Sequence, residues 1–319
     1  MQHVTFPDVT ATVLAVAPDY QITAHLHREP TKKVIITFSA INVGKSQLGF
    51  GTEFALKSGH DTVFVAQSRK SQYQGLSLEQ FAEAVSPVLG NREIFTYGSS
   101  LGGYCAVYYG GIINARIIAS APLNSAHPSI KARNFRGFKF NHIDIIDAPK
   151  SSYSPIILFD PHRQVDKMFI DRCIRPAYPD GQYCEFPFAG HTVLETMRNC
   201  GVLKEFISSI LETGVAPEIK LQSEGNFVWH AERGQYFLAQ GRSEEAEQEL
   251  RKSLSIGVSR IALGGLFRIL LTDKRKAEIL TVLVDVLNRT EKGERAGLFK
   301  PRLKDELKRA GVDWDLLSS

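Results

Sequence analysis

Through the first two thirds of the chain, short apolar runs recur between helical stretches and turn residues. Lys33–Phe38, Thr62–Ala66, Ile94–Tyr97, Ala115–Ser120 and Pro155–Phe159 are nearly continuous hydrophobic segments rich in Val, Ile and Phe. Such runs suit strands covered on both faces, as in a parallel sheet. Residues 11–16 and 21–26 instead resemble half-buried strands, and the turn Pro18-Asp19-Tyr20 joins them into an antiparallel opening pair. Gln182–Phe186 makes a last strand. Helices fall between the runs. One covers Phe54–Ser58 and stops at Gly59; another covers Leu78–Leu89, with Ser77 as N-cap, Gln80 completing a capping box and Gly90 closing it. Alternation of this kind predicts an α/β fold with a mostly parallel sheet.

The stretch that carries chemistry is Glu93–Gly110, an apolar strand, a tight turn and a helix that begins with small residues. At the turn stands Gly98-Ser99-Ser100-Leu101-Gly102, a G-x-S-x-G pattern. In such a turn the central serine rides a strained bend that lifts its hydroxyl above the sheet. Gly98 and Gly102 lack Cβ atoms and let strand and helix approach closely. The helix N-terminus presents free N–H groups beside Ser100, where a developing oxyanion would be stabilised. Ser99 lies one residue off the centre and is a supporting residue.

Two acids and one histidine follow in order. The apolar run ending at Phe159 leads into Asp160-Pro161-His162-Arg163-Gln164-Val165-Asp166. Asp160 stands at a strand's C-terminal end, the edge where open α/β sheets place their chemistry; Asp166 precedes a helical run and suits an N-cap. The two acids compete for the site; the expectation is Asp160 for the site and Asp166 for the cap, with Asp166 the alternative acid. Gly190-His191 follows the last strand and precedes a helix. Of the other histidines, His162 is the nearest rival because it shares the loop with Asp160. Gly44-Lys45-Ser46 suggests a phosphate-binding loop, but that pattern requires glycine at position 39, where the chain has Ser39.

Together the Gly98–Gly102 turn, Asp160 after a late strand and Gly190-His191 after the last one resemble the α/β-hydrolase superfamily over residues 10–212. The resemblance implies Ser100 as nucleophile, His191 as general base and later acid, and Asp160 as the group orienting the imidazole. It implies an oxyanion hole from the backbone N–H groups of Leu101 and Ala40, with Ser39 the next choice. The His-Gly frequent after the oxyanion strand in that superfamily is replaced by Phe38-Ser39.

Composition narrows the picture. With 43% hydrophobic and 23% charged residues the chain is globular, and a net charge of +4 over 319 residues does not support nucleic-acid binding. Cys105, Cys173, Cys184 and Cys200 show neither paired nor metal-ligand spacing and read as thiols in a reducing compartment. No metal or cofactor is implied. With no basic leader and no run long enough to span a bilayer, the expected location is cytoplasmic. From Leu123 to Ser154 the pattern dissolves, and Lys131, Arg133, Arg136 and Lys139 alternate with Phe135, Phe138 and Phe140. In a hydrolase fold residues 123–154 would form a lid; basic residues among aromatics could also serve nucleic acid or an anionic substrate, and read alone the segment is an irregular surface excursion with a basic face.

The texture changes after residue 212. Glu224–Ser255 is helical, and Trp229, Gly234, Tyr236, Phe237, Ala246 and Leu250 resemble one tetratricopeptide repeat. Trp229 is one place off, and no proline closes the repeat. Further helices are expected at Ala262–Leu271, Lys276–Asn288 and Arg302–Ala310. The expected division is a hydrolase-like domain over 1–212 and a helical domain over 213–319, the latter serving a protein partner, self-association or completion of the core. The expected function is a serine hydrolase acting on an ester or similar acyl bond of a small-molecule or glycan substrate. The alternatives are an acyltransferase using the same triad, or a non-catalytic scaffold that binds partners through its C-terminal helices.

Overall fold

The computed structural model describes residues 6–130, 132–222, 225–295, 297–299 and 301–312. Lys131 and Glu224 lie outside them.

Strands β1 (Val9–Val16) and β2 (Tyr20–His27) form the antiparallel opening pair. They are followed by β3 (Lys33–Phe38), helix α1 (Thr52–Lys57), β4 (Asp61–Gln67), α2 (Leu78–Leu89), β5 (Glu93–Ser99), α3 (Leu101–Gly110) and β6 (Arg116–Ser120). Next come β7 (Ile156–Phe159), α4 (Gln164–Phe169), which runs into a π-helical turn over Ile170–Ile174, β8 (Gln182–Glu185), α5 (Val193–Asn199) and α6 (Leu203–Thr213). The eight strands form one sheet in the order β1-β2-β4-β3-β5-β6-β7-β8. β2 runs antiparallel to β4, and every pairing from β4 through β8 is parallel. The fold is therefore α/β, with a mostly parallel sheet of the α/β-hydrolase type.

The apolar runs behave as their composition requires. Val34, Ile35, Ile36 and Phe38 of β3 and Val63, Phe64, Val65 and Ala66 of β4 are buried, so neither face of these strands meets solvent. β1, at the sheet edge, exposes Val13 and Val16. Every residue of α3 is buried. Phe38 stacks on Tyr109 of α3 (centroids 5.8 Å apart), and both contact Phe81 of α2. α2 carries the expected capping box, Ser77 Oγ accepting from Gln80 N–H while Gln80 Oε1 accepts from Ser77 N–H.

The chain divides into two compact units. One comprises residues 1–187, 191–195 and 202–219; the other comprises 188–190, 196–201 and 220–319. Among the described residues from 227 onward the second unit's regular elements are helices: α7 (Phe227–Ala239), α8 (Ser243–Ile256), α9 (Arg260–Thr272), α10 (Lys276–Asn288), α11 (Lys292–Arg295) and α12 (Pro301–Arg309). Its core gathers Phe237, Ala246, Leu250, Leu254, Leu263, Leu266, Leu270 and Leu283. α7 and α8 meet at Gly234, where a Cβ would come within 2.6 Å of the Leu250 side chain. Among the described residues, no helix is long and apolar enough to cross a membrane.

Candidate active site

The turn between β5 and α3 is the strained element. Ser100 has φ 56° and ψ −120°, a conformation that costs a non-glycine residue of order 1–3 kcal/mol and persists only where its surroundings impose it. Three backbone hydrogen bonds do so. Ser100 N–H donates to the Ser120 carbonyl at 2.9 Å, and the Ser100 carbonyl accepts from Tyr104 N–H at 2.9 Å and Leu123 N–H at 3.1 Å. The glycines permit the packing. A Cβ on Gly98 would lie 2.1 Å from the Gly102 carbonyl oxygen, and one on Gly102 would lie 2.8 Å from the Phe38 carbonyl oxygen. The second contact brings the N-terminus of α3 against the C-terminal end of β3, so Leu101 N–H and the loop after β3 share one locality.

His191 lies between β8 and α5, preceded by Gly190 at φ 74°. Its Nε2 is 2.8 Å from Ser100 Oγ, and its Nδ1 is 2.8 Å from Asp166 Oδ2. A carboxylate at Nδ1 keeps the ring proton there, which leaves Nε2 to accept the hydrogen bond from the Ser100 hydroxyl. Asp166 is buried at 2% exposure, whereas the His191 side chain keeps 29% and Ser100 is half-buried. The acid is thus enclosed while the serine and imidazole face accessible space.

The structure sets Asp166 against His191 Nδ1, where Asp160 was expected. Asp160 is fully buried at the end of β7, but its Oδ1 turns back to accept the His162 N–H at 2.9 Å, and its carbonyl accepts from Arg163 N–H at 3.1 Å. It shapes the turn out of β7, as an aspartate bonding to the backbone two residues on commonly does. Asp166 is not the helix cap either. α4 begins at Gln164, with Asp166 in its first turn, where a negative charge is favoured by the helix dipole. The side chain there is carried away from the strand tip and onto the imidazole. Ser99 is the last residue of β5, in register with Ser120.

The two expected oxyanion donors differ in setting. Leu101 opens α3, and N–H groups of a first helical turn lack intrahelical partners. Ala40 follows β3 and is exposed. Ser39, the next choice, does not qualify: its N–H is already committed to the Val65 carbonyl (3.0 Å) and the Tyr73 hydroxyl (2.7 Å). Lys45, of the false phosphate-loop pattern, donates its Nζ to the Ala17 carbonyl.

Other features lie apart from this arrangement. A cavity of about 340 Å³ lined by Gln74, Ser77, Glu79, Tyr108, Asn141 and His142 includes none of Ser100, Asp166 or His191. All four cysteines are unpaired, and burial pushes the Cys105 thiol well up. Among the described residues no group of three or more His, Cys, Asp or Glu side chains could hold a metal ion.

The sequence matches no family model and no curated protein. Solved structures do resemble it in fold. They include esterase B from Lactobacillus rhamnosis (11% identity over 76% of this chain and 91% of that one, TM-score 0.44). Alpha/beta hydrolase domain-containing protein 10 from mouse matches at 13% identity over 65% of this chain and 100% of its own, with a TM-score of 0.41. Acetyl xylan esterase 1 from Thermoanaerobacterium sp. matches at 12% identity over 58% of this chain and 77% of its own, with a TM-score of 0.39.

Proposed function

We propose that this protein is a serine hydrolase that cleaves an ester or similar acyl bond through an acyl-enzyme. The observation that carries the reading is the chain Ser100 Oγ–His191 Nε2, His191 Nδ1–Asp166, each link 2.8 Å, built on a serine at φ 56°. Ser100 is the nucleophile. Its hydroxyl proton passes to His191 Nε2 as Oγ bonds to the substrate carbonyl carbon, and Asp166 stabilises the imidazolium. The oxyanion of the tetrahedral intermediate is held by the N–H groups of Leu101 and Ala40. When the intermediate collapses, the carbonyl re-forms and the bond to the leaving alcohol breaks, with the imidazolium proton going to that alcohol. Water, deprotonated by His191, then attacks the acyl-Ser100 ester and releases the acid and the serine.

The helices of residues 227–309 serve a separate purpose in this reading. The close approach of α7 and α8 at Gly234 supports a tetratricopeptide-like helix pair, and such pairs present surfaces to other proteins.

The test is labelling of the purified protein with a fluorophosphonate. The Ser100 Oγ–P bond forms, the P–F bond breaks, fluoride leaves, and the hydroxyl proton passes to His191. Modification mapped to Ser100, and lost in His191→Ala, is expected. Absence of labelling in a folded sample, or labelling that persists at another residue in Ser100→Ala, would overturn the reading.

A further inference from the structure

The geometry points to Tyr73 as a positioning residue that aims the Ala40 N–H, with Gln67 as its second support; the inference rests on the hydrolase reading above and concerns how its oxyanion hole is held.

The backbone carries the argument. Across a trans peptide the C=O and the following N–H point in opposite directions. The carbonyl of Ser39 and the N–H of Ala40 belong to one such plane. Tyr73 Oη lies 3.2 Å from the Ser39 carbonyl oxygen, beneath the end of β3, so that carbonyl is held toward the core and the Ala40 N–H must point away from it. Ala40 is exposed while Ser39 is buried at 1% exposure, which fits this orientation. The next plane is held as well. The Ala40 carbonyl accepts from Gln67 Nε2 at 3.1 Å and from Val43 N–H at 3.2 Å. Both peptides flanking Ala40 are therefore fixed, by side chains from β4 and the loop after it and by the N–H of Val43 in Ala40's own loop.

The phenol sits at the centre of a closed set of bonds. Its oxygen accepts from Ser39 N–H at 2.7 Å and lies 2.9 Å from Ser39 Oγ, and its one proton is shared between the Ser39 carbonyl at 3.2 Å and the Val65 carbonyl at 2.9 Å. Ser39 Oγ in turn accepts from Gln67 N–H at 3.2 Å. Burial pushes the Tyr73 phenol well above its usual range, which keeps it neutral and able to donate. The ring packs edge-on against Phe38 at 6.2 Å.

Placing Tyr73 here strains the backbone. Lys70, Gln72 and Tyr73 have φ of 67°, 54° and 60°, and none is glycine. Backbone strain of this kind concentrates where a side chain is being held for a purpose. A tyrosine that only filled the core would need neither the left-handed backbone nor a hydroxyl bonded to both ends of one residue of the oxyanion loop. The serine at position 39 supplies the Oγ that links tyrosine to Gln67, which a glycine there could not.

The experiment measures the rate at which a fluorophosphonate modifies Ser100 in the full chain, in Tyr73→Phe and in Gln67→Met. Phosphonylation develops negative charge on the phosphoryl oxygen, so its rate reads the oxyanion donors without the natural substrate. The maximal rate constant should fall roughly tenfold to a hundredfold in Tyr73→Phe, a fraction of what losing a donor outright costs. It should fall less in Gln67→Met. The concentration for half-maximal rate should stay as in the wild type. Each rate is expressed per folded molecule, counted by the fraction that labels at completion. A merely structural tyrosine would lower that fraction and leave the rate of the folded molecules unchanged, and this result would overturn the inference. Should Tyr73→Phe not fold, Gln67→Met decides: a wild-type rate per folded molecule overturns the inference. Labelling of wild-type Ser100 with unchanged rates in both variants would sink this inference alone. A wild type that does not label would remove the hydrolase reading and this inference with it.

Discussion

Asp166 Oδ2 lies 2.8 Å from His191 Nδ1, and the whole contact is closed from solvent on the acid's side, since Asp166 is 2% exposed. A buried carboxylate in that position fixes the tautomer of the ring and, in the proposed reaction, offsets the charge the ring acquires. Asp166→Asn should therefore reduce the labelling rate of Ser100 by roughly a thousandfold to ten-thousandfold, because the amide leaves Nε2 carrying the proton. Asp160→Asn should lower it only a few-fold, since the amide oxygen can still accept the His162 N–H. The check is a pair of labelling time courses. Comparable losses in the two variants would show that the wrong acid has been named.

Gly98 admits no side chain. A Cβ there would stand 2.1 Å from the Gly102 oxygen and 2.2 Å from its carbonyl carbon, both backbone atoms of the helix that carries Leu101. Nothing flexible can give way. Gly98→Ala should cost about 3 kcal/mol, at the upper end of overpacking penalties, and displace Ser100 enough to abolish labelling. Urea denaturation measures the first effect. A variant as stable as the wild type would mean that strand and helix are not locked as described.

The strands of the sheet were legible because each is an apolar run too short for a helix and bounded by turn residues. Ser100 and His191, which meet at 2.8 Å, stand in settings that are local in sequence, a G-x-S-x-G turn and a Gly-His after the last strand. Asp166 does not. The rule that places chemistry at a strand's end selects Asp160, and only the fold shows its carboxylate turned back on the His162 N–H. One signal was available, a second acid six residues on in the same loop, but both carboxylates satisfy it. Tyr73 left no trace at all. It reaches Ser39 through left-handed residues that are neither glycine nor asparagine, so no turn chemistry announces the path. The helical region was legible as helices, with Lys276–Asn288 found at its observed bounds. The division of the chain was less so, because residues 188–190 and 196–201 group with the helical unit while 191–195 group with the sheet.

Helix α2 offers a test of local structure independent of the site. Its capping box satisfies two N–H groups that would otherwise lack partners, one on Gln80 and one on Ser77. Ser77→Ala should destabilise the protein by about 1 kcal/mol, as loss of an N-cap hydroxyl typically does. Since neither residue touches Ser100, His191 or Asp166, the labelling rate should hold. A lowered rate at unchanged stability would tie this helix to the site.

His142 makes stability depend on pH. It is buried against α3, stacked on Tyr108 with centroids 4.2 Å apart. Its Nδ1 lies 2.9 Å from the Tyr104 hydroxyl, and its Nε2 lies 2.9 Å from the Tyr73 carbonyl. Burial lowers its pKa from 6.5 to about 4. The neutral ring is thus the native form, and between these two values the unfolded chain binds a proton that the folded one does not. Stability must then rise with pH through that window and fall as acid is added, by about 3 kcal/mol from this residue once the pH has dropped to the lower value. His25 and His127 are shifted in the same direction by burial and add to the slope. His142→Phe keeps an aromatic face for Tyr108 but removes the titrating group. It should be less stable than the wild type near neutrality, where the hydrogen bonds are lost, yet its stability should change less between pH 4 and pH 6.5. Urea denaturation across that range measures both curves. If they ran parallel, the acid sensitivity would belong to other groups, and the buried imidazole would be an ordinary packing residue.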